Sequence, residues 1–487
     1  MSDQQNPWAI VVGAGPAGLL LALRLAQQDI PVCLVEMTDT LDNQPRASHY
    51  ASPAVYELGR AGVLDEIRQA GFDPKTLSFR RLDEKRTRYG CMNAEVVADH
   101  PDRHLCLPLN GLCRILLARL EKLPSATIRW QSKVVGLGQD DQQAWLDVET
   151  AAGRERLYAQ YIAGCDGANS QVRRSLFGDA VFPGFTWNEQ IVATNMYFPF
   201  EKYDYDDANF LIDETHWHMV ARISKDGLWR VTYGEIPGLT REELRERHAA
   251  KMKAILPGPD EWRLDNFSPY RVHQRLAPNM RVGRFCLAAD AAHICNPFGG
   301  MGLTGGIVDV GGLADCLTGI YLNLADDSIL DVYDTVRRQM YREHINPNSS
   351  NWLKRMWQNP DGAFERDPVL QRFKKGESDL KVAIELQFGL NVIKYDFTQH
   401  YRGLREIERV DSHSVHLHTC IPPSKSMLHT PRQSRRLADQ EHAFTHWYAQ
   451  AFERPGNGLR DEVVTGLLDT DKFAKCTVKH CIFASQQ

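Results

Sequence analysis

Gly13, Gly15 and Gly18 stand in the pattern Gly-x-Gly-x-x-Gly, directly after the short apolar run Trp8 to Val12. That spacing serves one kind of chemistry: it brings backbone N–H groups against phosphate. The first glycine permits a tight turn, the second lets the backbone approach a pyrophosphate, and the third lets helix and strand pack closely. Ala17 completes the loop, and Leu19 to Ala26 is rich in Leu and Ala, which favour helix. The N-terminus of such a helix offers free N–H groups to an anion. The next apolar run, Pro31 to Glu36, ends on an acid that can accept hydrogen bonds from an adenosine ribose. A plain strand–turn–helix without a ligand is the alternative. The strand, helix, second strand and acid, all at the right distance, weigh against it. NAD and FAD both stay open at this point.

Two later segments narrow the choice. Tyr161 to Asp166 is a small apolar strand ending in Asp166-Gly167, with a helix start at Ser170 to Arg174. Arg284 to Asp290 is again a strand that ends on an acid, placed where a carboxylate can bind a ribityl hydroxyl. A loop containing Gly299, Gly300, Gly302, Gly305 and Gly306 then runs into the apolar stretch Ile307 to Leu317.

The three segments in this order resemble the class A flavoprotein monooxygenases, the family of p-hydroxybenzoate hydroxylase, over about Trp8 to Arg342. The family carries GxGxxG, a mid-chain Asp-Gly and a late GDAAHxxxPxxGxGxN. Ala289 here replaces the usual glycine before Asp290, and Thr304 replaces the usual asparagine. Thr304 can still cap a helix, so the site is expected to survive both changes. The resemblance implies non-covalent FAD, with NADPH or NADH as transient reductant. Glu36 would bind the adenosine ribose, and Arg46 and Arg114 would line the flavin; a solvated surface arginine is the alternative for each. Asp290 would hold the ribityl or pyrophosphate part. Asp166 would be shared between flavin support and the nicotinamide. N–H groups near Gly302, Leu303 and Thr304 would face the pyrimidine side of the ring, where a helix N-terminus stabilises negative charge.

The elements that must position this chemistry follow. The fold class expected is α/β: a Rossmann-type FAD-binding domain of the p-hydroxybenzoate hydroxylase kind, with an inserted mixed β-sheet substrate domain and a helical C-terminal region. Residues 1–181 and 270–345 form the FAD-binding parts, 182–269 the sheet, 346–403 the helical region and 404–487 a tail of unknown role. Within the sheet, His216 to Ser224 and Leu228 to Ile236 read as a hairpin turning at Asp226-Gly227. Trp229, Val231 and Tyr233 share one face of the second strand. In the resembled family a sheet of this kind covers the substrate over the flavin. Candidate catalytic pocket groups are His218, Tyr233, Tyr270 and His273, with a half-buried, hydrogen-bonded sheet or loop residue as the plainer reading of each.

The chain has 487 residues, 43% hydrophobic and 24% charged, with a net charge of −5. It can bury a large core and lacks the basic footprint of a nucleic-acid binder. Eleven scattered cysteines suggest free thiols in a reducing compartment, hence a cytoplasmic protein. No run of about 18 uninterrupted apolar residues is present, so no membrane span is expected. His413, His416, His418, Cys420, Cys476 and Cys481 are metal-ligand types, but the spacing matches no zinc signature and no metal is expected.

The function implied by the resemblance is hydroxylation of a phenolic or polyketide-like aromatic, with NAD(P)H and O2, through a flavin C4a-hydroperoxide. The overall pattern is nearest to monooxygenases of fungal secondary metabolism. Epoxidation and Baeyer–Villiger oxidation remain open. Halogenation is disfavoured because the Trp-x-Trp-x-Ile-Pro segment of such halogenases is missing. A non-redox, protein-binding scaffold like the GDP-dissociation inhibitors is the reading from another class.

Overall fold

The computed structural model describes residues 6–43 and 47–402. Arg46 and the His/Cys group of the tail therefore lie outside the described residues.

The first layer is a six-stranded sheet in the order Arg281–Val282, Phe285–Leu287, Tyr161–Gly164, Ala9–Val12, Val32–Val35, Ala126–Arg129. The central strands run parallel. Ala9–Val12, Val32–Val35 and Tyr161–Gly164 are buried at every position, which is why they read as unbroken apolar runs. Two helices cover this sheet, Pro16–Ala26 and the long Met301–Tyr321. Phe298–Tyr321 is also the one described helix long and apolar enough to cross a membrane, but 83% of it is buried inside the protein. It is a core helix. A three-stranded antiparallel sheet, Lys133–Gln139, Ala144–Thr150 and Gly153–Ala159, flanks this layer.

The second layer is an eight-stranded mixed sheet. Its order is His293–Ile294, Arg263–Leu276, Gly184–Tyr197, Leu228–Glu235, His218–Arg222, Ala208–Ile212, Thr76–Arg81, Arg88–Asn93. The hairpin predicted at Asp226-Gly227 is present, with Gly227 at φ +83°. The sheet also takes strands from outside 182–269: Thr76–Arg81 pairs in parallel with Ala208–Ile212, and Arg263–Leu276 runs on to Leu276. Parallel pairing of segments so far apart in sequence leaves no local signal.

Each face of the large sheet is covered. On the outer face Trp229, Val231 and Tyr233 pack against Leu244, Met252 and Ile255 of the helix Arg241–Ile255. On the inner face Phe79, Ile191, Phe210, Trp217 and Val272 pack against Phe298, Leu353 and Met356. The helices Asn346–Met356, Pro368–Gly376 and Leu380–Phe388 supply part of that inner cover and match the helical region expected at 346–403.

Candidate active site

The glycine loop is built by close approach. A Cβ on Gly18 would lie 1.9 Å from the Gly13 carbonyl oxygen, and one on Gly13 would lie 2.7 Å from that of Cys165. Gly13 also sits at φ +102°, where glycine is favoured. A Cβ on Gly15, by contrast, would meet nothing within 4 Å. Its small size keeps open the space in front of the helix Pro16–Ala26, whose N-terminus has no side-chain cap. Glu36 fixes this loop as well as facing it: Ala14 N–H donates to Oε2 at 2.7 Å, and Thr38 N–H and Oγ1 donate to Oε1 at 2.9 Å each.

The later acids are placed differently from one another. Asp166 spends its carboxylate on the helix Gln171–Phe177, accepting from Gln171 N–H at 2.7 Å, Val172 N–H at 3.1 Å and Ser170 Oγ. Burial pushes its pKa up, and these hydrogen bonds oppose the rise. Asp290 is exposed at the end of the Phe285–Leu287 strand segment. Ala289 before it adopts φ +55°, the left-handed region that a glycine would occupy without strain. Arg114 projects from the helix Leu109–Leu120 at an exposed position.

Met301–Tyr321 begins at Gly300, φ +65°, again with no side-chain cap. Gly302, Leu303 and Thr304 form its first turn. Thr304 is fully buried, and its hydroxyl has no partner among the described residues. Five residues further on, Asp309 anchors the whole corner. It accepts from His293 Nε2 at 2.7 Å, Arg337 Nε at 2.7 Å and Ala289 N–H at 3.1 Å, and all three side chains of this triad are buried.

These features fit an extended dinucleotide. Two helix N-termini stand uncapped, Gly15 leaves the phosphate approach open, and a buried Thr304 hydroxyl lacks a partner. Glu36, the Gly13–Gly18 loop, Asp290 and the first turn at Gly302–Thr304 are the groups that would hold FAD.

Of the four sequence-predicted pocket residues, Tyr270 alone is on the inner face. It pairs with Ile191 and packs in the cluster that contains Phe298. Tyr233 points outward, and its hydroxyl meets His248 Nδ1 at 2.9 Å. His218 lies directly across from Tyr233, so it shares the outer face; its Nδ1 contacts the His216 carbonyl at 2.7 Å. His273 is one residue out of phase with Val272 of the inner cluster and meets Thr186 Oγ1 at 2.9 Å. The expectation of pocket roles for Tyr233, His218 and His273 is corrected accordingly: strand alternation turns them away.

The inner face carries polar groups that the sequence reading missed. Arg230 pairs with Asn195, and its Nε donates to Asn195 Oδ1 at 3.0 Å. The two-stranded ribbon of His49–Tyr50 and Leu105–Cys106 meets the sheet here, with Cys106 Sγ 3.6 Å from the Arg222 carbonyl oxygen. His49 lies opposite Cys106; its Nδ1 is 3.0 Å from Ser48 Oγ, and its shielded Nε2 has no partner among the described residues. Burial, with the charges of His104 and Arg230, pushes the His49 pKa down to about 4. Burial pushes Tyr270 up to about 12 against the opposing charge of Arg230. The signal for Arg230 was available: it is the charged residue between Trp229 and Val231, on the other face of the same strand.

Residues 8–346 match the family model described as FAD binding domain. The chain belongs to the class A FAD-dependent monooxygenases. It is 35% identical to para-nitrophenol 4-monooxygenase of Pseudomonas sp. (strain WBC-3) over 405 residues, 82% of this chain and 97% of that protein. It is also 35% identical to 6-hydroxy-3-succinoylpyridine 3-monooxygenase of Pseudomonas putida (strain DSM 28022 / S16), over 76% of this chain and 93% of that one. The crystal structure of p-nitrophenol 4-monooxygenase from Pseudomonas putida DLL-E4 superposes with a TM-score of 0.74 at 35% identity, covering 82% of this chain and 99% of that chain. Aklavinone-11 hydroxylase, at 23% identity and a TM-score of 0.65, shares the fold. This flavin monooxygenase is thus an oxidoreductase that uses FAD, NAD(P)H and O2 to hydroxylate an aromatic small molecule.

Proposed function

We propose that this monooxygenase acts on a single-ring hydroxyarene at the carbon para to the hydroxyl, where that carbon already carries a substituent. The supporting observation is the pair of relatives matched at 35% identity over nearly their whole lengths. In both printed names the oxygenated position is the substituted one. In 4-nitrophenol and in a 6-hydroxypyridine substituted at C3, that position lies para to the hydroxyl. The inner face of the sheet suits a small, flat ring with one polar end: Phe79, Phe210 and Trp217 are apolar, and Arg230, Asn195 and Tyr270 are polar.

FAD, reduced by NAD(P)H, supplies activated oxygen when bound. The protein's part is to orient the ring, favour electron density at the para carbon and exclude water. With 4-nitrophenol, a C–O bond forms at C4 and the C4–N bond breaks. One substrate, one O2, one NAD(P)H and one proton give benzoquinone, nitrous acid, water and NAD(P)+.

The test is NAD(P)H oxidation and nitrite release by the FAD-loaded enzyme with 4-nitrophenol, against 3-nitrophenol. Stoichiometric nitrite from the para isomer alone supports the reading. Turnover of the meta isomer with none of the para isomer overturns it. We place the enzyme in a reducing, cytoplasmic setting, in keeping with eight free cysteines among the described residues.

A further inference from the structure

The inner-face polar cluster joins four side chains from four strands: His49 and Cys106 on the ribbon, Arg230 and Tyr270 on the large sheet. They lie close enough that the Arg230 charge acts on each of the other three. Each also has a defined state at neutral pH. Cys106 is held at about 12, chiefly by burial, so it stays a thiol. Tyr270 at about 12 stays a phenol, and His49 at about 4 stays a neutral imidazole. Among these four groups Arg230 alone is charged. The neighbouring carboxylate that acts on Cys106, Asp207, is within 4.0 Å of Arg222.

Arg230 is also fixed in place. Its Nε–H is held by Asn195, which is 2% exposed. Arg230, Tyr270 and His49 lie deep among protein atoms yet keep part of their surface accessible. A rigid guanidinium fork among neutral groups favours an anion with oxygen lone pairs. Burial itself acts to remove the Arg230 charge, so an anionic partner gains from being there.

We propose that Arg230 fixes the substrate's ring oxygen, pairing its guanidinium with the phenolate form and so selecting ionisable hydroxyarenes over ethers of the same shape. This rests on the hydroxyarene reading above and adds the residue that enforces it. The ring O–H breaks, its proton leaves to water, and the electron pair stays on oxygen. That charge spreads to the para carbon, the position the proposed reaction needs. Arg230 is then a binding and specificity residue, and it activates the ring by holding it ionised.

The test uses the FAD-loaded enzyme without NAD(P)H, so that nothing turns over. Bound 4-nitrophenol is titrated by difference spectroscopy, because its phenolate absorbs in the visible and its phenol does not. 4-Nitroanisole, which cannot ionise, is the second ligand and is followed by its displacement of 4-nitrophenol. Wild type is expected to bind the phenolate with its pKa lowered by at least one unit from the free value, and to bind the ether at least tenfold more weakly. In Arg230→Met the pKa returns to the free value or above, and the preference over the ether disappears; Arg230→Lys keeps part of both. FAD content and circular dichroism confirm that the variants are folded. An unchanged pKa and an unchanged preference in folded Arg230→Met overturn the proposal. Wild type that binds neither ligand, whatever the variant does, overturns the hydroxyarene reading instead, and this proposal with it.

Discussion

Replacing Asp309 by asparagine should destabilise the enzyme and loosen its cofactor together. Asp309 is 0% exposed, as is its partner Arg337. Its Oδ1 accepts from Arg337, and its Oδ2 accepts from both His293 and Ala289 N–H. Asparagine has one acceptor oxygen, so its NH2 must face a donor on one side or the other. It also leaves the Arg337 charge buried without its counter-ion. Breaking a buried pair in this way costs about 3–5 kcal/mol, against a total stability of roughly 5–15 kcal/mol. The midpoint of thermal unfolding should fall on the order of 10 °C. Ala289 N–H leads directly into Asp290, so losing its anchor should weaken FAD by about tenfold, one hydrogen bond's worth. The assay is thermal unfolding of apoenzyme, where FAD linkage cannot contribute, with FAD affinity measured separately by flavin fluorescence. A companion variant checks the cause. Asp309→Leu with Arg337→Met removes both charges and should lose less than Asp309→Asn alone. A fall of under about 2 °C in Asp309→Asn, with unchanged FAD affinity, would refute the reasoning.

The same triad sets a pH dependence. Burial alone would raise the Asp309 pKa, but His293 and Arg337 overcome it, and the net shift is downward from 3.8. Its stabilisation is therefore complete above the ordinary carboxylate range and is lost as pH falls below it; acid unfolding profiles should show this limb in wild type and not in the leucine–methionine double variant. Gly15→Ala should fold normally and lose FAD, since its Cβ meets no protein atom, whereas Gly18→Ala, with its Cβ 1.9 Å from a carbonyl oxygen, should give little soluble protein; purified yield and flavin content separate the two. A Cβ on Gly306 would lie 2.7 Å from the Ala289 Cβ, so Gly306→Ala should be destabilising and Ala289→Gly should partly rescue it in a double-mutant cycle. Additive effects would show that the two do not touch. Thr240 caps the helix Arg241–Ile255 in a reciprocal box with Glu243. Thr240→Ala should cost about 1 kcal/mol in urea unfolding with no change in FAD affinity, because that helix covers the outer face.

The chain's order of motifs determined the cofactor half of this enzyme. Gly13-x-Gly15-x-x-Gly18, Glu36, Asp166 and Asp290 each mark the end of a short buried strand, and strand, turn and helix are local in sequence. A phosphate loop needs close backbone approach within a few residues, so it leaves a local signature. Even there, tertiary structure assigned the work: Asp166 turned out to cap a helix, and Glu36 to tie down the loop it faces. The substrate half was decided only by the fold. Alternation divided the strand Leu228–Glu235 into Trp229, Val231 and Tyr233 on one side and Arg230 and Thr232 on the other, but nothing local says which side turns inward. Packing of the helix Arg241–Ile255 against the tyrosine side settled that, and left Arg230 facing His49 and Cys106 from far earlier in the chain. A site assembled from strands at residues 49, 106, 230 and 270 has no spacing to read, because its geometry exists only once the sheet and the ribbon have met.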